Sequence, residues 1–203
     1  MIFNHVNDPV FLAVLIPLFI VSITLHEFGH ALTATWLGDS TARDAGRVTV
    51  NPFVHLDFFG TLFILLAGFG WAKPVPFDPN QLRWPRLGSF LVSAAGPFAN
   101  FLLAWAALLA LTHLSGMPAG ASTWFEVLFS LNLMLMVFNL LPIPPLDGGN
   151  LLESLLPRRW LPAFQRLLPY GVVALLVLVL LPGANNPLRW LYALAARGMQ
   201  WLV

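Results

Sequence analysis

The sequence contains no cysteine, few charged residues and no polar stretch long enough to form a soluble domain. Without cysteine the chain forms neither a disulfide nor a thiolate metal site, so any bound metal must be held by nitrogen and oxygen atoms. Only 9% of the residues are charged, the net charge is +1 and there is no basic cluster, which excludes nucleic-acid binding by charge. We expect neither a PDZ-like nor a nucleotide-binding appendage within these 203 residues.

Apolar residues dominate what is present. They make up 58% of the sequence, and the mean hydropathy is +0.78, which is typical of an integral membrane protein. A bilayer-spanning helix needs about 20 apolar residues, and we predict membrane helices over 9–37, 87–114 and 123–141, with a shorter one over 169–181. The predicted fold is an all-α polytopic membrane protein with about four to six membrane segments and a three-helix core.

Smaller segments connect these helices. Residues 58–71 are apolar but short and interrupted by glycine, which favours a re-entrant loop over a full span. The alternation in Val48–Val50 predicts a short strand, so we expect a small membrane-associated β or re-entrant element beside the helices. Residues 150–168 are typical of an interfacial segment, and residues 187–203 fit either an interfacial helix or a tilted last span.

The stretch His26–His30 reads His-Glu-Phe-Gly-His inside the first apolar run, where Glu27 is the single charged residue. In a helix, residues four apart lie about 40° apart around the axis and about 6 Å apart along it, so the two imidazoles project side by side. They can therefore hold one zinc ion, while Glu27 reaches a water at the metal without becoming a ligand. This is the water-activating arrangement of a metallohydrolase.

A buried structural helix is the alternative interpretation of this stretch. Its histidines would bond neighbouring backbone, and Glu27 would be paired elsewhere. An ionised carboxylate within hydrocarbon costs at least about 2.5 kcal/mol, and two imidazoles also need partners. A bound cation supplies the compensating charge, which favours a metal site.

A catalytic zinc usually takes three protein ligands and leaves a fourth position for water. Asp147 is the best candidate for the third ligand, because it follows an apolar helix and a proline-rich turn. Taken alone, capping of the next helix is an equally good interpretation of this aspartate. His55 is the rival ligand, although tethering of its own loop is the simpler role for it.

Three motifs together make the sequence resemble the site-2 protease family of intramembrane zinc metalloproteases. They are His26–His30, Gly96–Asn100 and Asn139–Gly149, in that order. The stretch Gly70–Pro76 makes the likeness strongest to the compact bacterial members. The resemblance implies a single membrane-embedded metalloprotease domain over 1–203, with a catalytic core at 10–149 and C-terminal helices at 150–203.

The resemblance also implies a role for each matching residue. It implies that His26, His30 and Asp147 bind one Zn²⁺ per chain, which raises Asp147 well above His55. Glu27 would act as general base and then as general acid. The implied substrate is a transmembrane helix of another protein, cut within the membrane.

Asn100 and Asn139 match family positions whose amides face the site. The resemblance therefore implies that they clamp the substrate backbone or donate to an oxyanion. Ordinary hydrogen bonding between helices is the alternative for both residues, because polar side chains in membrane spans often serve that purpose.

Basic residues indicate how the chain is oriented. Apart from the C-terminal tail, they fall within Arg43–Arg86 and Arg158–Arg166, which both become cytoplasmic if residues 58–71 do not cross. This orientation places the N-terminus outside and the histidine motif towards the cytoplasmic side. The likeness to bacterial members predicts the bacterial inner membrane.

Two other classes of function were weighed against the protease. A divalent-metal transporter usually shows repeat symmetry and polar residues along several helices, whereas the predicted helices 123–141 and 169–181 are nearly devoid of polar residues. A proteolytically inactive membrane scaffold would not require Glu27. The predicted partners are a transmembrane protein substrate and the lipid bilayer, without nucleic acid, and the sequence predicts no particular oligomeric state.

Overall fold

The structure is a computed structural model that describes residues 9–57, 60, 72–114, 116–181 and 186–203. These residues are mostly helical and contain no strand. The α-helices within them are α1 (Pro9–Trp36), α2 (Thr41–Asp44), α3 (Pro52–His55), α4 (Pro85–His113), α5 (Ala119–Asn139), α6 (Asp147–Leu155), α7 (Leu161–Gln165), α8 (Gly171–Leu180) and α9 (Pro187–Gln200). Short 3₁₀ turns at Arg158–Trp160 and Leu168–Tyr170 precede α7 and α8.

Three of the described helices, α1, α4 and α5, are long and apolar enough to cross a membrane. A fourth span results if the segments 158–165 and 168–180, which meet at 44°, count as one broken helix. These apolar helices identify a membrane protein. Apart from Gly60, the segment 58–71, on which the higher predicted count of spans depends, lies outside the described residues.

The three long helices form the core of the molecule, with α4 packed against both α1 and α5. At Gly29 of α1 the approach is close, because an added Cβ atom would lie 2.9 Å from the carbonyl oxygen of Ala95 in α4. Farther along the bundle, Ala104 of α4 and Leu133 of α5 pack with Met199 of α9. The second half of α4 is thus covered by α5 and α9.

The long helices lie close to their predicted bounds, whereas the strand predicted at Val48–Val50 is wrong. The backbone bends there, and the Thr49 carbonyl accepts a hydrogen bond from Nε2 of His55 at 2.8 Å instead of joining a neighbouring strand. The β pairing among the described residues is one isolated antiparallel bridge between Leu56 and Ala72. Among the residues that the structure describes, no partner strand lies beside Val48–Val50, so the alternation of apolar residues there forms no ladder.

The chain on either side of residues 58–71 is held together by Arg47. This side chain is only 3% exposed, and its guanidinium group donates to the carbonyl oxygens of Val54, Lys73 and, at 2.7 Å, Pro74. Burial lowers the pKa of Arg47, and the negative charge of Glu27 opposes that lowering. Arg47 thus connects the chain before residues 58–71 to the chain after them.

A second buried charge joins the end of α1 to the loop before α4. Asp39 is fully buried, and its carboxylate accepts from the backbone N–H groups of Thr41 at 2.9 Å and Asp78 at 2.7 Å. The N–H of Arg83 also donates to the carbonyl of Leu37 at 2.8 Å. These bonds fix the position of α4 relative to α1.

Candidate metal centre

Two histidines on α1 form one side of the candidate site. His26 and His30 are both buried, and their ring centroids lie 4.7 Å apart with the rings nearly perpendicular. Their Nε2 atoms are 3.1 Å apart. The helical spacing of the motif therefore brings the two imidazoles to one point, as the sequence predicted.

Asp147, the first residue of α6, completes the group. Its Oδ2 atom lies 3.1 Å from Nε2 of His26 and 3.3 Å from Nε2 of His30. Within the described part of the chain, these three residues are the group of potential ligands close enough to share one ion. The rival His55 is instead fully buried in its own loop, where it bonds Thr49.

The hydrogen-bond partner of Nδ1 in each ring determines which ring nitrogen is free to bind a metal. Nδ1 of His30 lies 2.6 Å from the backbone carbonyl of Val92, which can only accept, so this nitrogen carries the hydrogen. Nδ1 of His26 lies 2.7 Å from Oδ1 of Asn100 and donates to it. In the neutral rings both Nε2 atoms therefore present a lone pair towards Asp147.

This donor set fits a zinc ion. Among the described residues, Oδ2 of Asp147 is buried without a hydrogen-bond donor, and it faces two nitrogen lone pairs. Such atoms repel one another unless a cation lies between them. Tetrahedral zinc with bonds of about 2.0–2.1 Å sets its donor atoms about 3.3 Å apart, close to the spacing of this group.

Gly96 of α4 leaves room at the same point. A Cβ atom added there would lie 2.6 Å from Nε2 of His26 and closer still to Nε2 of His30. A side chain at this position would fill the space in front of both nitrogens. The glycine therefore lies where a metal would need open volume.

Charge around Asp147 is consistent with its place in the group. Burial alone would raise the pKa of this carboxyl group, but the positive charges and N–H groups that His30 and His26 offer it when their rings are protonated hold the pKa below its ordinary value. The carboxylate form, which is the form that binds metal, is therefore the favoured one.

Glu27 lies beside the three potential ligands but does not belong to the group. It is 8% exposed, so its carboxylate is almost completely within the protein. One turn before it, Ile20, Val21, Thr24 and Leu25 of α1, together with Val50 and Pro52, line an apolar cavity of about 150 Å³. The candidate site thus has an apolar recess next to its acid.

The two asparagines implied by the family resemblance lie in different surroundings. Asn100 is fully buried, and both halves of its amide are engaged, by His26 and by Nδ2 donation to Asn132 at 2.9 Å. These contacts favour the interhelical alternative for Asn100. Asn139 is partly exposed at the end of α5, where its Nδ2 donates to the Leu135 carbonyl at 3.0 Å.

Sequence reasoning gave no role to Asn132, Arg47 or Gly96. Asn132 is a buried amide in an otherwise apolar helix, and a polar residue at that depth is in itself a signal of function. Gly96 begins the motif Gly96–Asn100, but its place beside the histidines depends on how α4 packs on α1.

Comparison with known proteins identifies the family. The chain is 45% identical to "Putative zinc metalloprotease YwhC" of Bacillus subtilis over 171 residues, which cover 80% of this chain and 78% of that protein. This chain belongs to peptidase family M50. The model of that family matches residues 115–180 directly.

Further relatives agree with the M50 assignment. The chain is 35% identical to "Putative zinc metalloprotease Rip2" of Mycolicibacterium smegmatis over 182 residues, covering 86% of this chain and 68% of that protein. It is 37% identical to the Mycobacterium tuberculosis protein of the same name, strain H37Rv, covering 87% and 71%. No solved structure matches the chain. The M50 protein is therefore a membrane-embedded metalloprotease with a zinc cofactor.

Proposed function

We propose that this protein is a zinc metalloendopeptidase that cuts other membrane proteins within their transmembrane segments. The observation that carries the proposal is the meeting of His26, His30 and Asp147 inside a bundle of apolar helices, with the buried Glu27 beside them. A hydrolytic centre at that place serves substrates that enter from the bilayer. We further propose that residues 1–203 act as one domain, with the catalytic core at 10–149 and helices at 150–203.

Each residue of the group has a distinct role in the proposed mechanism. Both imidazole Nε2 atoms and the carboxylate of Asp147 would hold the zinc ion. When bound, zinc polarises the scissile carbonyl and lowers the pKa of water towards about 7. The Glu27 carboxylate accepts the proton of the attacking water and then delivers it to the nitrogen of the leaving amine.

Substrate access is proposed along the apolar face of α1. A helical carbonyl is hydrogen-bonded and shielded, so the substrate helix must unwind before attack. The recess lined by Ile20, Thr24 and Val50 lies next to the motif and suits an apolar side chain of the unwound segment. Asn139, partly exposed at the end of α5, is the proposed contact to substrate backbone, and Asn100 is assigned to the support of His26 instead.

Orientation is part of the same proposal. The basic residues within Arg43–Arg86 and Arg158–Arg166 support a cytoplasmic location for both regions. The N-terminus would then lie outside a bacterial inner membrane, with the metal centre towards the cytoplasm. Water would reach the site from that side.

The Glu27→Gln variant tests the function. We expect it to retain bound zinc but to lose cleavage of a model substrate with a transmembrane segment by at least about 100-fold, because general base catalysis contributes about 10²–10⁴-fold. Glu126→Gln is the matched control, since Glu126 is exposed on α5. The substrate is supplied both with and without its hydrophobic segment.

Two results would contradict the proposal. Cleavage at the wild-type rate by Glu27→Gln would remove Glu27 from the mechanism. Equal cleavage of the substrate that lacks its hydrophobic segment would show that the enzyme acts on soluble peptides.

A further inference from the structure

A chain of buried hydrogen bonds runs from the metal centre across three helices. Nδ1 of His26 bonds Oδ1 of Asn100, and Nδ2 of Asn100 donates to Oδ1 of Asn132 at 2.9 Å. Nδ2 of Asn132 donates in turn to Oγ of Ser22 at 2.9 Å. Each of these four side chains is at most 5% exposed. The chain therefore links α1, α4 and α5 without access to water.

Two backbone carbonyls fix the donor-to-acceptor direction of these hydrogen bonds at the end of the series formed by Asn132 and Ser22. Nδ2 of Asn132 also donates to the carbonyl of Leu128 at 2.9 Å, and the hydroxyl of Ser22 donates to the carbonyl of Leu18 at 2.7 Å. A carbonyl oxygen only accepts hydrogen bonds. Asn132 must therefore turn its NH₂ group towards Leu128 and Ser22, which leaves its oxygen facing Asn100.

The orientation of Asn132 in turn determines the orientation of Asn100 beside His26. Since Oδ1 of Asn132 needs a donor, Asn100 presents its NH₂ group there and its own oxygen to His26. An amide oxygen cannot donate, so Nδ1 of His26 must carry the hydrogen. Nε2 is thereby left with its lone pair, pointing towards Asp147.

His26 and His30 differ in what fixes the hydrogen on Nδ1. Nδ1 of His30 faces the Val92 carbonyl directly, and that contact alone defines its tautomer. Nδ1 of His26 faces a side-chain amide, which can present either an oxygen or an NH₂ group. If Asn100 turned over, it would offer its NH₂ group to His26 and its oxygen to the oxygen of Asn132, leaving buried groups unsatisfied. The tautomer of His26 therefore depends on the residue that fixes the orientation of the Asn100 amide.

We propose that Asn132 is a positioning residue for zinc binding: by orienting the amide of Asn100, it fixes the tautomer of His26 in which Nε2 is free to bind the metal. Asn132 touches neither metal nor substrate. Partners that orient a ligating histidine raise metal affinity by about 10–100-fold. The inference rests on the proposed ligand role of His26, but it concerns zinc affinity and not cleavage.

The test is a double-mutant cycle on the zinc dissociation constant, measured with the full chain in detergent by competition with a chelator. We expect Asn132→Leu to weaken zinc binding by about 10–100-fold. In an Asn100→Asp background, either carboxylate oxygen can accept from Nδ1 of His26, so no amide needs orienting. Adding Asn132→Leu to that background should therefore change the affinity by less than about threefold.

Controls separate this effect from general damage to the fold. Thr35→Val removes a hydroxyl on α1 that bonds the Ala31 carbonyl of the same helix, and it should leave zinc affinity unchanged. His26→Ala reports on the underlying ligand role, because it must weaken zinc binding whether or not Asn132 has a positioning role. A failure of His26→Ala to do so would overturn the ligand assignment instead.

Two outcomes would overturn the role of Asn132. One is wild-type zinc affinity in Asn132→Leu, and the other is an equal loss in both backgrounds, which indicates a merely structural residue. If Asn132→Leu does not fold, ¹⁵N NMR of histidine-labelled wild-type protein decides the matter. The proposal requires the hydrogen of His26 on Nδ1, and a hydrogen on Nε2 would exclude it.

Discussion

A Cβ atom added to Gly96 would lie 2.6 Å from Nε2 of His26. Real side chains do not come that close to a nitrogen without displacing it. The α4 backbone thus bounds the space beside both imidazoles, and that space has room for an ion only because Gly96 carries no side chain.

Gly96→Ala should therefore weaken zinc binding by about 10–100-fold, because the methyl group occupies the space in front of both imidazoles. Zinc content and a chelator-competition titration measure the effect. Gly120→Ala is the control, since an added Cβ atom at Gly120 meets nothing within 4 Å. Wild-type affinity in Gly96→Ala would mean that the metal does not lie between these rings.

Removal of zinc should lower thermal stability. The proposed ligands join α1 to α6, and a ligand present at about 100 times its dissociation constant stabilises the folded state by about 2.7 kcal/mol. We expect the melting temperature in detergent to fall when zinc is chelated and to recover when zinc is added back.

The His30→Ala variant provides the comparison for that experiment. With one ligand missing, its melting temperature should respond to zinc much less than that of the wild-type protein. An identical response of both proteins would place the stabilising ion elsewhere.

Arg47→Met should destabilise the protein by roughly 1.5–3 kcal/mol, because several buried carbonyl oxygens lose a charged donor at once. Unfolding in detergent, followed by circular dichroism, measures the change. Arg43→Met is the matched control, since Arg43 is an exposed arginine nearby whose partner is the exposed Asp44. Equal stability of the two variants would show that the contacts of Arg47 are of little consequence.

The parts of the fold that depend on residues close in sequence could be predicted. The long apolar runs of α1, α4 and α5 need only length and composition, and the pairing of His26 with His30 needs only helical spacing. Prediction of Asp147 as the third ligand required more than local spacing. From the sequence alone a capping role and the rival His55 both stayed open, and the family resemblance favoured Asp147 before the geometry brought it to the histidines.

Features that depend on which helix faces meet could not be predicted. Asn132 lies 110 residues from its partner Ser22, and no local pattern shows that the two side chains share a hydrogen bond. The Val48–Val50 strand was wrong for a related reason, since local alternation does not supply a partner strand. For Asn100 the resemblance implies a substrate role and interhelical hydrogen bonding is the alternative, which its contacts with His26 and Asn132 favour.

The order of the proposed ligands along the chain has a consequence for biosynthesis. The histidines enter the bilayer with α1, but Asp147 arrives only after α4 and α5 have been inserted. With this ligand set, a chain synthesised only as far as α5 would hold two of the three ligands, so the proposed hydrolytic centre would be complete only after all three long helices are made.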